Sequence, residues 1–356
     1  MILQDLDAEL RELAAADKLS GVALIMRGSD TVFEGAYGWA SRTWGVPMRP
    51  DIRFDCASIT KLFTAVATLQ RVDAGDFSLD TSAIDYLELT GTTISPAVTV
   101  RHLLTHTSGL ADDADEEDGE RYEDVWVDLP SYSVREASGH LQNFVHKPPR
   151  FAPGEGTRYC NVGFVLLGLM IEKATGIGYR DYVRQNVFAP AGMIRSGFFA
   201  MDEVVSEVAE PCEPVTDADG QITGWRRNIY SYPPIGTPDG GAHVTARDLV
   251  RFMDALRGTA LASPELTAQM CTPQVFAKQR EDGTRHYGFA TQFHLDAAGN
   301  LLWWGKDGVN VGVSGEVDYY PDHDATMVVL ASSEDGAWGP LRTIDKIILS
   351  GALDSP

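Results

Sequence analysis

The segment FDCASITKLFTAVATLQ, residues 54–70, places a serine at the start of an apolar helical pattern and a lysine three residues later. Apolar residues recur at helical spacing from Leu62 to Leu69, which predicts a helix that begins near Ser58. Side chains three residues apart lie on one face of a helix, so Lys61 is predicted to reach the Ser58 hydroxyl. A serine is a weak nucleophile until a neighbouring base takes its proton, and Lys61 is placed to do so.

Lys61 can act as a base only if its amine is uncharged. Ile59, Leu62 and Phe63 flank it, and burial among apolar side chains lowers the pKa of a lysine when no carboxylate compensates. The positive end of the helix dipole also favours the neutral amine. A Ser-x-x-Lys spacing arises by chance about once in a chain of this size, so the motif needs further support.

The composition is that of an acidic globular chain. Hydrophobic residues make up 44% of the 356 positions, enough to bury a sizeable core, and we expect two closely packed lobes. With 29 Lys and Arg against 51 Asp and Glu, the formal net charge of −22 argues against binding to nucleic acid or to anionic membranes. The four cysteines lack C-x-x-C spacing, so we predict neither a disulfide framework nor a zinc site.

The sequence predicts neither an export signal nor a membrane-spanning segment. The first 18 residues lack a basic region followed by an apolar core, and space four leucines along one side of a helix instead. The longest apolar run, residues 162–171, has 10 residues and is too short to span a bilayer. We therefore expect a cytoplasmic protein whose partner is a small-molecule substrate rather than a membrane.

The two ends of the chain are predicted to share one antiparallel sheet. The run GVALIMR at 21–27 and the run TVFEGAYGWA at 31–40 form a hairpin pattern. More strand patterns follow near the C-terminus: GFATQFHLD at 288–296, NLLWWG at 300–305, VGVSGEVDYYP at 311–321 and ATMVVLAS at 325–332. A last helix is predicted at about 338–350. Strands joined by tight turns pair antiparallel, and both terminal helices are expected to pack on the sheet.

The middle of the chain is mostly helical in pattern. NVGFVLLGLMIEKATG at 161–176 is apolar nearly all round, which predicts a buried helix. The predicted fold class is thus α/β of the α+β type, with 1–57 and 271–356 forming the sheet lobe and 58–270 the helical lobe. The acidic run DDADEEDGE at 112–120 does not match an EF-hand, and we expect a solvated loop there.

Two further motifs follow Ser58 in a particular order. RYCNVG supplies Tyr159-x-Asn161 about 100 positions later, and WGKDGVNVG supplies Lys306-x-Gly308 near the C-terminus. Ser-x-x-Lys, Tyr-x-Asn and Lys-x-Gly in this order resemble the serine β-lactamases, the penicillin-binding proteins and their esterase relatives. The runs VRHLLTHTSGL (100–110), FAPGEGTRYCNVGF (151–164) and DGGAHVTARDL (239–249) look like the class C β-lactamase-like branch, which includes carboxylesterases and D-peptidases. The resemblance covers roughly residues 10–335.

This resemblance implies a β-lactamase/transpeptidase-like fold with the active site in the cleft between the lobes. It implies that Ser58 is the acylated nucleophile and Lys61 its base. Tyr159, with its phenol perturbed by two nearby lysines, would carry protons to the leaving group and activate water for deacylation. Asn161 would orient Lys61 and the amide group of the substrate. No metal or organic cofactor is implied.

The third motif is implied to bind substrate. The backbone N–H groups of Ser58 and Val309 match the family's oxyanion-hole positions, where the loss of one donor typically costs ~10²–10³ in rate. The family commonly has Lys-Thr-Gly, Lys-Ser-Gly or His-x-Gly, whereas this chain has Asp307 between Lys306 and Gly308. An ionised Asp307 would repel a substrate carboxylate and either pair with Lys306 or attract an amine.

Other residues near these motifs have simpler interpretations. His102 and His106 are predicted to be hydrogen-bonding residues at helix ends, and Trp303 and Trp304 to pack on the two faces of the sheet. Cys160, inside the second motif, is either a packing residue or an oxidation-sensitive thiol. The G-x-S-x-G and H-E-x-x-H motifs are absent from the sequence, which removes the usual α/β-hydrolase and zinc-protease alternatives.

The sequence thus predicts a serine hydrolase that cleaves ester or amide bonds through an acyl-enzyme on Ser58. A D-stereospecific peptidase, an acyltransferase or transpeptidase, and a β-lactamase are the enzyme alternatives. A non-catalytic or acyl-sensing protein that keeps only the fold is the non-enzyme alternative. The sequence leaves open the natural acyl group, the acceptor and the oligomeric state.

Overall fold

The computed structural model describes residues 2–115 and 118–354. Its strands, in chain order, are β1 Gly21–Arg27, β2 Asp30–Tyr37, β3 Trp39–Ser41, β4 Val46–Pro47, β5 Phe54–Asp55, β6 Cys212–Thr216, β7 Ile222–Arg227, β8 His243–Val244, β9 Val275–Gln279, β10 Gly283–Tyr287, β11 Gln292–Asp296, β12 Leu301–Asn310, β13 Val313–Tyr320 and β14 Ala325–Ala331. The α-helices are α1 Ile2–Ala15, α2 Thr60–Asp73, α3 Ala83–Leu87, α4 Val100–Leu104, α5 Val162–Thr175, α6 Tyr179–Val183, α7 Ala246–Arg257, α8 Pro264–Met270 and α9 Trp338–Leu349.

The main sheet joins the two ends of the chain. Within the described residues it has eight strands in the order β2-β1-β14-β13-β12-β11-β10-β9, and every neighbouring pair is antiparallel. β1 pairs with β14 in the register Leu24 to Val328, so the N-terminal hairpin adds directly to the C-terminal strands. The antiparallel sheet and its terminal helices confirm the predicted fold class. The strands β9 and β10 were not predicted, because their residues are largely polar.

Each face of the sheet has its own apolar core. Trp303 joins Leu6, Leu10 and Ile344 in a cluster that buries helices α1 and α9 against one face. Trp304 belongs to the larger cluster on the other face, where the helical region packs. The opposite placement of the two tryptophans confirms the prediction, since successive side chains of a strand point to opposite faces.

Helix α5 lies at the centre of the helical region, with its apolar residues almost fully buried. It is apolar nearly all round, as predicted for a buried helix. Among the described residues, no single helix has the length and apolarity to cross a membrane. Two consecutive helical segments, Val162–Thr175 and Tyr179–Phe188, have sufficient length and apolarity when they are taken together, but the chain bends by 80° between them.

A pair of buried carboxyl groups lies on strand β13. Glu316 and Asp318 are 5% and 0% exposed. Burial and then the charge of Asp307 raise the pKa of Glu316 to about 7, while burial and then Glu316 raise the pKa of Asp318 well above its usual value. The folded protein therefore holds these protons at a pH where the unfolded chain has released them, so stability falls as the pH rises from about 4.5 through 7.

We expect Asp318→Asn to remove part of the pH dependence of the protein's stability. At pH 8.5 the variant should melt about 2–4 °C above the wild type, because its neutral amide is spared the burial of a charge. At pH 5.0, where the buried pair is already protonated, the two should melt together. Thermal unfolding by circular dichroism at both pH values is the measurement, with the exposed Asp322→Asn as control. An equal shift at both pH values would contradict the assignment.

Candidate active site

Ser58 lies in a 3₁₀ turn, Ala57–Ile59, that leads directly into α2. The turn is held from both sides: Ala57 N donates to Asp55 Oδ1 over 2.7 Å, and Ile59 N donates to Cys56 O over 3.0 Å. Ala57 has φ +43°, a left-handed conformation that costs a residue with a side chain on the order of 1 kcal/mol. The surrounding contacts therefore impose a strained turn next to the serine, a feature that clusters at functional sites.

Lys61 is fully buried, and polar atoms surround its amine. Its Nζ lies 3.0 Å from Ser58 Oγ, 2.8 Å from Asn161 Oδ1 and 2.6 Å from the backbone oxygen of Asp239. The i, i+3 contact predicted from the sequence is therefore present. The other two acceptors come from distant segments of the chain and fix the position of the amine.

Tyr159 lies between two lysines. The Nζ atoms of Lys61 and Lys306 are each 5.1 Å from the centre of its ring. The imidazole of His106 packs against the same ring with centroids 4.5 Å apart, and burial is the main cause that holds the pKa of His106 well below its usual value. The aromatic ring thus lies near two lysine amines and packs against an uncharged imidazole.

The segment that carries Tyr159 and Asn161 is anchored through its backbone. Cys160 N donates to His106 Nδ1 over 3.1 Å, and Asn161 N donates to Asp112 Oδ2 over 2.7 Å. Val162 N donates to the other oxygen of the same carboxylate over 3.0 Å, so Asp112 caps the start of helix α5. Sequence reasoning predicted a hydrogen-bonding role for His106 but not its partner Cys160, and it missed the role of Asp112.

The prediction of a solvated loop at 112–120 is wrong for its described first part. Asp112, Asp113 and Asp115 are only 5–7% exposed. All three have structural partners: Asp112 caps α5, Asp113 Oδ1 accepts from Ala114 N, and Asp115 pairs with the guanidinium groups of Arg150 and Arg158. Residues 116 and 117 of the run lie outside the described residues.

The third motif lies on strand β12, next to the serine turn. A Cβ atom placed on Gly308 would lie 2.3 Å from Cys56 O and 3.1 Å from Ser58 N, so no side chain fits there. β11 pairs with β12 only as far as Gly305, and Val309 beyond it lines the cleft. The structure thus brings Gly308 to the backbone of Ser58 and places Val309 next to it in the wall of the cleft. The oxyanion role of the Ser58 and Val309 N–H groups stays a prediction.

Asp307 is held within a network of charged and polar groups. Lys306 Nζ contacts Asp307 Oδ1, Gln292 Nε2 donates to the same oxygen over 2.7 Å, and Arg285 Nη1 lies 4.0 Å from Oδ2. Burial would raise the pKa of this carboxyl, but the charges of Lys306 and Arg285 outweigh it and hold the pKa at about 2. Asp307 is therefore ionised at neutral pH and pairs with Lys306, one of the two predicted outcomes.

Most of the predicted site residues line one cavity of about 470 Å³. Ser58, Tyr159, Asn161, Lys306, Asp307 and Val309 contribute to its wall, while Lys61 and Gly308 lie behind that wall. Aromatic and aliphatic side chains from the segments 199–209 and 229–235 complete it. The structure therefore brings all eight predicted site residues together.

Three residues near the site have structural roles. Cys160 is 3% exposed, and burial raises the pKa of its thiol well above the usual value, so the structure supports the packing interpretation and not a reactive thiol. His102 Nδ1 accepts from Thr99 N over 3.2 Å at the start of α4. His106 follows the end of the same helix with φ +56°, so both histidines bond at helix ends as predicted.

The chain is similar to known proteins over nearly its whole length. It is 36% identical to a penicillin-binding protein from Bacillus halodurans, whose structure superimposes with a TM-score of 0.87 over 97% of this chain and 99% of the other. Esterase EstB from Burkholderia gladioli is 32% identical over 287 residues, 74% of this chain and 72% of EstB. A D-aminopeptidase from Cereibacter sphaeroides is 30% identical over 349 residues, 94% of this chain but 61% of that enzyme. Residues 6–351 match the sequence model of the Beta-lactamase family, and the chain belongs to that family.

Proposed function

We propose that this protein is a serine hydrolase that cleaves ester or amide bonds through a covalent acyl-enzyme on Ser58. The observation that carries the proposal is the 3.0 Å contact between Ser58 Oγ and the amine of the fully buried Lys61. An activated serine nucleophile needs a base within hydrogen-bond reach and a further group that orients that base. Asn161 and the backbone of Asp239 are such orienting groups.

The contacts of the Lys61 amine fit its uncharged form. A neutral amine has two N–H bonds and one lone pair, and the oxygens of Asn161 and Asp239 can accept both hydrogens. The lone pair then remains for the Ser58 hydroxyl proton. Ser58 attacks the substrate carbonyl as its proton passes to Lys61, and the backbone beside Gly308 stabilises the oxyanion.

Tyr159 is proposed to complete the proton path. Its ring lies at equal distances from the two lysine amines, so its phenol can be supplied with a proton from either side. In acylation that proton goes to the leaving group, which departs with it. In deacylation a water molecule passes a proton through Tyr159 to Lys61 and attacks the acyl carbon. Lys61 then gives that proton to Ser58 Oγ as the bond to the acyl carbon breaks, which releases the carboxylic acid and free Ser58.

Labelling followed by intact mass measurement tests the nucleophile. A fluorophosphonate should add one adduct mass to the wild type, and peptide mapping should place it on Ser58. A slowly cleaved ester should give a transient acyl adduct at the same residue. A permanent acyl adduct with no turnover of any ester or amide would favour the acyl-sensing alternative. Labelling at another residue would contradict the proposal.

The charge network predicts a preference among substrates. The ammonium of Lys306 is already paired with ionised Asp307, so a substrate carboxylate near Lys306 would meet a negative charge. We expect kcat/KM for p-nitrophenyl butyrate to exceed that for nitrocefin, which carries a carboxylate, by at least about tenfold. Steady-state kinetics on the two substrates at pH 7.5 measure this ratio.

Replacing Asp307 by asparagine shows whether the charge or the size of this side chain sets the ratio of ester to nitrocefin hydrolysis. Asp307→Asn keeps the size of the side chain and should lower the ester-to-nitrocefin ratio by about tenfold, because it removes the repelling charge. Asp322→Asn, on the exposed turn Pro321–His323 and outside the cavity wall, is the matched control and should leave the ratio unchanged. Nitrocefin as the better substrate of the wild type would refute the preference.

A further inference from the structure

A buried carboxyl group faces the third motif from the neighbouring strand. In the register of β12 and β13, Glu316 lies directly opposite Asp307, so the two side chains are neighbours on one face of the sheet. Glu316 is 5% exposed and lies behind the cavity wall, whereas Asp307 is part of that wall. A substrate in the cavity therefore meets Asp307 by contact and Glu316 only through its charge.

Two cations and one anion lie between Glu316 and the cavity. Lys306 Nζ contacts one oxygen of Asp307, and Arg285 Nη1 lies 4.0 Å from the other. All three side chains line the cavity. Lys306 also lies against the ring of Tyr159, which gives the leaving group its proton in the mechanism proposed above. The leaving group is therefore next to a cluster with one net positive charge when Glu316 is protonated and none when Glu316 is ionised.

The residues nearest to Glu316 on β13 and β14 are uncharged near neutral pH. Val329 lies opposite Glu316 on β14. Asp318 lies two residues further along β13, and burial, followed by the charge of Glu316, holds its pKa well above the usual value. From helix α9, Asp345 accepts a hydrogen bond from Tyr320 OH over 3.0 Å at the far end of β13. Burial is the main cause that raises the pKa of Glu316 to about 7, so Glu316 changes its charge in the neutral range.

We propose that Glu316 is a specificity-determining residue that acts through Asp307 and decides whether the cavity accepts a leaving group with a carboxylate. Protonated Glu316 leaves the charges of Lys306 and Arg285 in excess over that of Asp307, and this excess attracts a carboxylate. Ionised Glu316 cancels the excess, so such a leaving group is disfavoured as the pH rises through 7. The inference rests on the proposed serine hydrolase function and adds a dependence of substrate choice on pH.

Two matched esters test the proposal. 3-Acetoxybenzoate has a leaving group with a carboxylate, and in methyl 3-acetoxybenzoate the same carboxylate is masked as an ester. Release of acetate is followed by chromatography from pH 6.0 to 8.5 and corrected for spontaneous hydrolysis. The ratio of the two kcat/KM values cancels proton transfers that both substrates share. In the wild type this ratio, anion over methyl ester, should fall by about tenfold over the range, through KM of the anion rather than kcat.

Replacing Glu316 by glutamine should abolish this fall. Glu316→Gln keeps the size of the side chain but stays neutral, so the ratio should remain at its pH 6.0 value up to pH 8.5. Glu316→Met, which is apolar and of similar length, carries the same expectation and is used if circular dichroism shows that the glutamine variant is unfolded. Glu203 is exposed at the mouth of the cavity, so Glu203→Gln is the matched control and should keep the wild-type fall.

The possible outcomes are distinct. A wild-type ratio that stays constant or rises with pH, or a fall that survives in a folded Glu316 variant, would overturn the proposal. A fall that is lost in Glu203→Gln would assign the effect to the mouth of the cavity and overturn it too. If the wild type hydrolyses neither of the two esters nor p-nitrophenyl butyrate, the proposed function itself fails, which is a different result.

Discussion

Replacing Ser58 by alanine is expected to reduce kcat/KM for p-nitrophenyl butyrate by about 10⁴-fold or more, since the variant keeps the cavity but loses the atom that is acylated. The fold should be retained, because the Ser58 side chain is in contact with solvent in the cavity and contributes little to the core. Steady-state hydrolysis, corrected for the spontaneous reaction, is the measurement. Circular dichroism of the variant checks that its fold is intact.

A matched serine separates this effect from a general loss of structure. Ser131 is 6% exposed and lies in a separate 3₁₀ turn, away from the cavity wall. Ser131→Ala should hydrolyse the ester at nearly the wild-type rate. Should Ser58→Ala retain more than about a tenth of the activity, the acyl-enzyme mechanism would have to be abandoned.

Replacing Lys61 by methionine is expected to reduce kcat/KM by about 10²–10⁴-fold, the range over which a general base contributes. Methionine is apolar and of similar length, so it fills the buried space without supplying a base. The oxygens of Asn161 and Asp239 also lose their donor, and we expect the melting temperature to fall as well. The rate of labelling by a fluorophosphonate reports acylation alone and should fall with kcat/KM.

The control for Lys61→Met is the same substitution at a lysine outside the site. Lys173 on helix α5 pairs with Glu88 and is partly exposed, so Lys173→Met should leave the labelling rate unchanged. If Lys61→Met is folded and is labelled as fast as the wild type, the base must be sought elsewhere. Tyr159 would then be the first residue to test, because its ring lies next to the same serine and lysine.

The parts of the fold that could be predicted from the sequence are those with local patterns. The apolar runs of β1 and β14 and the apolar surface of α5 identify buried elements wherever they lie. The Ser58–Lys61 contact was predictable because a helical turn fixes the distance between i and i+3. β9 and β10 escaped prediction because β9 is the edge strand and β10 is its neighbour, and polar side chains such as Lys278 and Arg285 are tolerated in this part of the sheet.

The parts that could not be predicted depend on contacts between distant segments. The acidic run at 112–120 has a composition typical of solvated loops, yet Asp112 is buried because the start of α5 needs acceptors for its N–H groups. Asp55 belongs to no motif, and its position in the cavity follows only from the pairing of β5 with β8. Spacing along the chain reveals neither relation, since both partners are far apart in sequence.

The close approach of Gly308 to the serine turn has a consequence for how this protein evolves. Because the backbone of the sheet touches the backbone beside the nucleophile, any side chain at this position would push the two layers apart. Substitutions around the cavity rim can alter which molecules are accepted while this junction stays the same. Substrate specificity can therefore change during evolution, whereas Gly308 cannot be replaced even by alanine without disturbing the nucleophile.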